Sequence, residues 1–580
     1  MVESQLMTIG LLLLFAIIGG LISAKFKQPV VLGLLIIGMI IGPNTLNLVN
    51  DAGMIDLMIE FGAIIFLFVI GLEFSLKKLM KSGFKMILVT LFKVGIMFFI
   101  GFTTTVVLGL GVIAAVFVGV LMSFSSTVII LNILKQKNLV KRPEVPLLVG
   151  VLVLEDIFGV VALTFFSSMR ASGSAGLLSG LEDIVISLSI LVFIYIIVSK
   201  FAERIVSWIT KSAGDEMIMF ISLGICAAFA SLSYFLGISP SAGAFLAGSI
   251  VSNFEESKKF ESSIKSHTLM FTSFLFISVG TLIDLSAIKE HIMTIIVFLV
   301  VIILGLFVAV GMVTRVFGNF SFQGSIFSTM AMLPLGVFSI LVAKESMKFN
   351  IGIDLVSVTS VLIFTLTVIM ALLLKYNQSL YDTSFKNRYT GFQKVLGSFS
   401  DYIKSLLEEI DVENASSRIL KKKAHKLMGY ALLSVFIIVF TGKISGLVKV
   451  TILKYFIIFA GVVGVFLTAL MMRRYSKEVF HQIIKILSNM SGGEKIRQTK
   501  LVVKSMMKGL FFVLIGIFSP LVIFVLNASG YYLFASTTLI IIGLLFFHST
   551  YKHLKNVSYD YKYNIKAYKK LDMTFLKVKQ

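Results

Sequence analysis

Before residue 375 the chain is a succession of apolar runs, each long enough to cross a membrane, separated by short polar or glycine-containing breaks. The runs begin near Leu6, Val30, Ile55, Phe84, Gly111, Val145, Ile184, Met217, Ile238, His267, Ile292, Phe322 and Leu355. A hydrocarbon core about 30 Å thick takes roughly 20 helical residues, so the pattern predicts thirteen spanning helices. After Lys375 the pattern changes. Residues 376–426 are polar and mixed in charge, with helical spacing from Asp401 to Ile410. Apolar runs return at Leu427 to Phe440, Thr451 to Met471, Leu510 to Leu526 and Tyr531 to Phe547, predicting about four additional C-terminal transmembrane helices, the first of them short. A basic loop is expected from Arg473 to Lys508. The chain thus divides into a transmembrane domain (1–375), a cytoplasmic linker (376–426), a second membrane region (427–550) and a basic tail (551–580).

Composition and charge fix the class. With 57% hydrophobic and 14% charged residues over 580 positions, the chain is an all-α polytopic membrane protein. In a soluble chain the net charge of +22 would suggest nucleic acid, but here the basic residues sit in short loops between apolar runs. With the N-terminus outside, seventeen basic residues from Lys25 to Arg315 fall on inner loops, while only Arg170, Lys289, Lys344 and Lys348 fall on outer ones. That asymmetry is the positive-inside pattern of a multi-pass cell-membrane protein. It puts the C-terminus in the cytoplasm, where anionic lipids would attract the basic loops and tail. The stretch from Met1 to Gln28 has Glu3 and no basic residue before its apolar run, so it reads as a retained first helix. The single Cys226 excludes an intrachain disulfide and a cysteine metal site, and no cofactor motif is present.

The third and tenth runs resemble one another: Phe66-Leu-Phe-Val-Ile-Gly71-Leu-Glu73 beside Phe274-Leu-Phe-Ile-Ser-Val-Gly280. Pro29, Gly33 and Gly38 of the second run have rough counterparts in Pro240, Ala244 and Gly248 of the ninth. Both offsets are seven helices. An odd offset inverts the second copy, which is the inverted-repeat plan of secondary transporters.

Chemistry concentrates in three irregular places. Glu155-Asp156 lies inside the run from Val145 to Ser167, with no basic residue in that run. Asp156 falls roughly 16 Å along the helix, near the bilayer centre, where an ionisable side chain costs several kcal/mol unless it faces water or a cation. Ser125-Ser126-Thr127 sits in the middle of the fifth run, where hydroxyls and freed carbonyls can coordinate a small cation. Leu333-Pro334-Leu335-Gly336 interrupts the twelfth run, since Pro removes a donor and Gly loosens the helix. The fifth and twelfth runs correspond in the repeat. Two broken helices crossing at the midplane would bring half-helix ends to an ion path. Small-residue packing and a simple kink are the plainer readings of each feature taken alone.

Over roughly the first 375 residues the sequence resembles the monovalent cation/proton antiporter-2 family, with its Kef-type and NapA-type members. The resemblance is carried by Pro29-Val-Val-Leu-Gly33 with Gly38 and Gly42-Pro43, Phe66 to Glu73, Ser125-Ser126-Thr127, Val153-Leu-Glu155-Asp156, Gly243 to Gly248 and Phe274 to Gly280. It implies a thirteen-helix antiporter fold with a mobile core domain, a dimerisation domain and an elevator-like cycle in a homodimer. By the same resemblance Asp156 matches the essential aspartate, and Thr127 the polar position of the first broken helix. Glu155 stands where relatives carry Asp, Asn or Gln. Val337 replaces a Glu. The eleventh run lacks the mid-helix Lys that pairs with the first carboxylate in electrogenic members; its basic residue is Arg315 at one end. Lys93 in the fourth run is a candidate substitute partner for Glu155, and a loop-edge position near Lys85 is the alternative.

Residues and resemblance together predict a secondary antiporter, not an enzyme, exchanging Na⁺ or K⁺ for H⁺. Asp156, Glu155, Thr127, Ser126 and Ser125 would hold the ions, with Asp156 and Thr127 touching the metal cation. A passive Kef-like channel and a non-transporting sensor remain alternatives. The missing helix-eleven Lys leaves Glu155 without its familiar partner, so the expected cycle moves net charge.

Overall fold

The computed structural model describes residues 2–26, 28–73, 84–171, 216–235, 239–252, 254, 257–349, 351–375 and 451–490, with scattered positions between 419 and 550. The run beginning at Ile184, most of the linker and the tail beyond 550 lie outside the described residues. Contacts divide the chain into two compact units, one chiefly residues 1–314 and 320–385, the other chiefly 386–524 and 528–580.

Among the described residues all elements are helical, and seven helices are long and apolar enough to cross a membrane. In chain order the helices up to residue 375 are α1 (Val2–Lys25), α2 (Val30–Ile41), α3 (Ala52–Glu73), α4 (Phe84–Val107), α5 (Val112–Met122), α6 (Thr127–Gln136), α7 (Val145–Ala171), α8 (Glu216–Phe235), α9 (Pro240–Val251), α10 (Ser257–Thr281), the short α11 (Leu285–Glu290), α12 (Ile292–Leu306), α13 (Val313–Val316), α14 (Phe322–Ala331), α15 (Val337–Ser346) and α16 (Leu355–Lys375), all in the first unit except the end of α13 from Arg315. A π-helical stretch, Phe307–Met312, joins α12 to α13. One boundary differs from the expectation. α10 begins at Ser257, ten residues before His267, because a helix can carry polar residues past the apolar region at its end.

The helices form two bundles. α1, α2, α3, α8, α9 and α10 pack chiefly on one another; α4 to α7, α12 and α14 to α16 do the same. Glycines set the first bundle. A Cβ on Gly33 would collide with the Gly19 carbonyl and Ser23 Oγ, and a Cβ on Gly243 would collide with the Phe229 carbonyl and Ser233 Oγ. Each of these three residues has its counterpart 210 positions later. Likewise Gly38 abuts Ile277 and Gly280, while Gly248 abuts Phe68 and Gly71. The contact of α2 with α10 is thus repeated, with partners exchanged, by α9 with α3. Small residues that let backbones touch are how apolar helices associate without a hydrophobic driving force. The structural register corrects two sequence pairings. Gly33 corresponds to Gly243, not Ala244, and Pro29 to Ser239, each the N-cap of its helix.

In the second unit α17 (Thr451–Met490) is a single helix of 40 residues. It therefore runs through Arg473 into the segment expected to be a basic loop, with Arg474 and Glu478 paired one turn apart at 3.2 Å. Described positions between 419 and 441 meet it in antiparallel order: Lys423 pairs with Glu478 at 3.1 Å, and the Tyr430 and Tyr475 rings stack at 5.5 Å. A Ser519–Ser536 hydrogen bond of 2.7 Å and the close approach of Gly516 to Ile540 join the last two described stretches.

Candidate cation-binding site

Two helix interruptions meet in the second bundle. α5 stops at Met122 and α6 starts at Thr127; α14 stops at Ala331 and α15 starts at Val337. The extended links pair antiparallel at Ser125 and Leu335. Ser126 N donates to the Pro334 carbonyl at 2.9 Å, and Gly336 N donates to the Phe124 carbonyl at 3.0 Å. The sequence explains the break. Pro334 has no N–H to continue a helix. Gly336 leaves no room for a side chain, since a Cβ there would lie 2.9 Å from the Ser125 carbonyl. Ser126 caps α6 by accepting from Ile129 N, and Ser339 Oγ donates to the Leu121 carbonyl at 2.6 Å. Breaking two helices frees backbone groups that must be satisfied, and each link satisfies the other.

The crossing leaves two carbonyl-bearing ends on one side and two N–H-bearing ends on the other. Lys93 of α4 occupies the carbonyl side. Its Nζ donates to the Ser123 carbonyl at 2.7 Å, to Ser125 Oγ at 2.9 Å and to Glu155 Oε2 at 2.8 Å. Ser125 N donates to the same carboxylate oxygen at 2.9 Å, and Ser125 Oγ donates to the Met332 carbonyl at 3.0 Å. Lys93 and Glu155 are 1% and 0% exposed. Three acceptors for three N–H groups is the full complement of a charged ammonium. Glu155 Oε1 is buried with no hydrogen-bond partner.

Asp156, the next residue on α7, faces elsewhere. With Thr127 it lines a cavity of about 120 Å³, several times what one water requires. Thr127 Oγ1 donates to Asp156 Oδ2 at 3.1 Å. The N-termini of α6 and α15 open on the cavity through Thr127 and Val128, and through Val337 and Phe338. Phe66, Val69 and Ile70 of α3 form the opposite wall, so the cavity lies between the two bundles. Half-helix N-termini carry partial positive charge, so both ends present that charge to the cavity that Asp156 lines.

The residues singled out in the sequence come together, with divided roles. Asp156 and Thr127 present oxygens to the cavity. Ser125 and Ser126 line it as well, but their hydroxyls are engaged in the Lys93 cluster and the α6 cap. Pro334 and Gly336 form the crossing itself. Glu155 pairs with Lys93, whereas Arg315 belongs to the second compact unit. Of the two candidate partners the sequence offered, Lys93 is the one that meets Glu155. The cation comes from the fourth run instead of the eleventh, and no periodicity within one helix reveals a partner on another. Ser339 and the π stretch were not foreseen either; the hydroxyl three residues after Gly336 and the glycines Gly305 and Gly311 were their available signals.

A profile of the sodium/hydrogen exchanger transmembrane region matches residues 10–376. The chain belongs to the sodium/hydrogen exchanger family. It is 29% identical over 352 residues to the probable Na⁺/H⁺ antiporter GerT of Bacillus cereus, covering 59% of this chain and 90% of that one. It is 28% identical over 372 residues to the Na⁺/H⁺ antiporter of Enterococcus hirae, covering 63% and 96%. With K⁺ efflux antiporter 5 of Arabidopsis thaliana it shares 28% identity over 288 residues, 48% of this chain and half the length of the plant protein. The solved sodium proton antiporter MjNhaP1 of Methanocaldococcus jannaschii aligns with a TM-score of 0.49 at 17% identity, covering 66% of this chain and 99% of that one.

Replacing Thr127 by Val keeps its shape and removes the hydroxyl. The apparent KM for the transported cation should rise roughly tenfold at fixed pH, the scale of one lost polar contact to a charge. A shift in pH optimum with an unchanged KM would assign Thr127 to the proton path.

Proposed function

We propose that this protein is a secondary antiporter in which one Na⁺ or K⁺ and one H⁺ compete for Asp156. The observation that carries the proposal is the division of the two adjacent carboxylates. Asp156 shares a cavity with Thr127, while Glu155 is neutralised by a lysine with every donor satisfied. Competition for one site is sufficient for coupling, because the empty, negatively charged site is the costly form inside a membrane. Neither Lys93 nor Glu155 lines the cavity, so neither has the access a cycling proton needs. The cycle is then electroneutral, one proton for one cation.

The same reading takes in the finer architecture. Reciprocal glycine contacts 209–210 residues apart support an inverted repeat within a thirteen-helix plan. A cavity between two bundles suits an elevator-like motion of one past the other. The lysine distribution supports a cell-membrane protein with its N-terminus outside, its C-terminus cytoplasmic and anionic lipid at the basic segments. We include the homodimer, the 376–426 linker and a regulatory or assembly role for residues 427–580 in the proposal.

Purified protein in liposomes, with a Na⁺ or K⁺ gradient and a pH dye, tests it. Proton flux should follow the cation gradient, at a rate unchanged by an imposed membrane potential. A moving charge would feel about 2.3 kcal/mol per 100 mV. A voltage-dependent rate would mean that Lys93 or Glu155 also titrates. Cation flux without proton counterflow would identify a channel.

A further inference from the structure

The two bundles of the first unit are bridged by an ion pair that lies outside the cavity. Lys344 Nζ, in the last turn of α15, is 3.0 Å from Asp56 Oδ1, near the start of α3. The sequence pattern put Lys344 in a loop; the structure puts it in the helix, with its side chain 11% exposed against 63% for Asp56. The α3 residues that line the cavity, Phe66, Val69 and Ile70, lie ten to fourteen positions further along, roughly 15–21 Å at 1.5 Å per residue. Asp56 therefore marks the end of α3 remote from the cavity. A second contact joins the bundles at that end, where Asp284 N, just after α10, donates to Ser357 Oγ of α16 at 2.7 Å.

We propose that Asp56–Lys344 is a latch that holds the bundles together at the outer end and so biases the protein towards the state seen here, with Asp156 facing a cavity in the cytoplasmic half. The latch rests on the alternating-access reading and orientation given above. For the bundles to slide and expose Asp156 to the other side, Lys344 must leave Asp56. The pair is partly exposed, and such pairs move an equilibrium modestly, by about two- to fivefold. A modest bias suits a cycle in which both states must be visited; a fully desolvated pair would trap one of them.

The test uses the full chain with Cys226→Ser and a Val69→Cys reporter in the cavity wall, labelled from the cytoplasmic face by a membrane-impermeant maleimide. Asp56→Asn and Lys344→Gln should each slow labelling about two- to fivefold, and the swap Asp56→Lys with Lys344→Asp should restore it. Unchanged labelling in both single variants, or a swap that behaves no better than they do, overturns the latch. Independently, Asp56→Cys with Lys344→Cys should stop exchange on oxidation and regain it on reduction. Undiminished exchange by a fully cross-linked sample overturns it as well. If the swap restores labelling in a protein without cation-coupled proton flux, the latch stands and the exchange reading fails.

Discussion

Asp156→Asn is expected to reduce cation-dependent proton flux in liposomes to the background of empty vesicles, while expression and thermal stability stay at the wild-type level. Asn preserves the volume and can still accept from Thr127 Oγ1, so the geometry at 3.1 Å is retained. It has no ionisable proton and no net charge to attract a cation. Removing a charge from a membrane interior is not expected to cost stability, since the ionised form is the expensive one. Flux of wild-type magnitude in this variant would remove Asp156 from the mechanism.

The second large effect is on stability and has the opposite logic. Lys93→Met leaves Glu155 buried beside the Ser123 and Met332 carbonyls with no cation, and losing one partner of a buried pair costs about 3–5 kcal/mol. The detergent-solubilised variant should melt well below wild type. The double replacement Lys93→Met with Glu155→Met removes both charges and should recover most of the loss, because a well-packed apolar pair often matches a buried ion pair. If Lys93→Met melts like wild type, the pair does not hold the crossing together. If the double variant folds but melts as low as the single one, Lys93 acts through packing instead of charge.

The expectation of a charge-moving cycle gives way, in the reading proposed above, to a neutral one for an instructive reason. It rested on an absent lysine in the eleventh run, where Ile292–Leu306 carries none. The cation was present in the sequence as Lys93, but so were Lys85 and other basic residues near helix ends. Choosing among them requires knowing that α4 packs on α7 and that Ser123 ends α5 beside it. Ser125 shows the same gap. Its position in a polar cluster was legible; that its hydroxyl bridges Lys93 and the Met332 carbonyl was not.

Some features are local, and the sequence suffices for them. An apolar run of about 20 residues must be helical in lipid, because no water is there to satisfy the backbone. Pro334 with Gly336, and Ser126 ahead of Thr127, break and restart helices through the chemistry of those residues alone. Asp156 declares itself by depth, since a charge in the middle of a hydrocarbon-length run has to face something polar. Tertiary structure decided everything that depends on which helix lies beside which. It joined Ser125 to Leu335, assigned Lys93 to Glu155, left Asp156 and Thr127 facing the cavity, and set Lys344 against Asp56. These contacts span 29 to 288 positions of chain, and their energies come from desolvation and close packing that exist only once the helices are assembled.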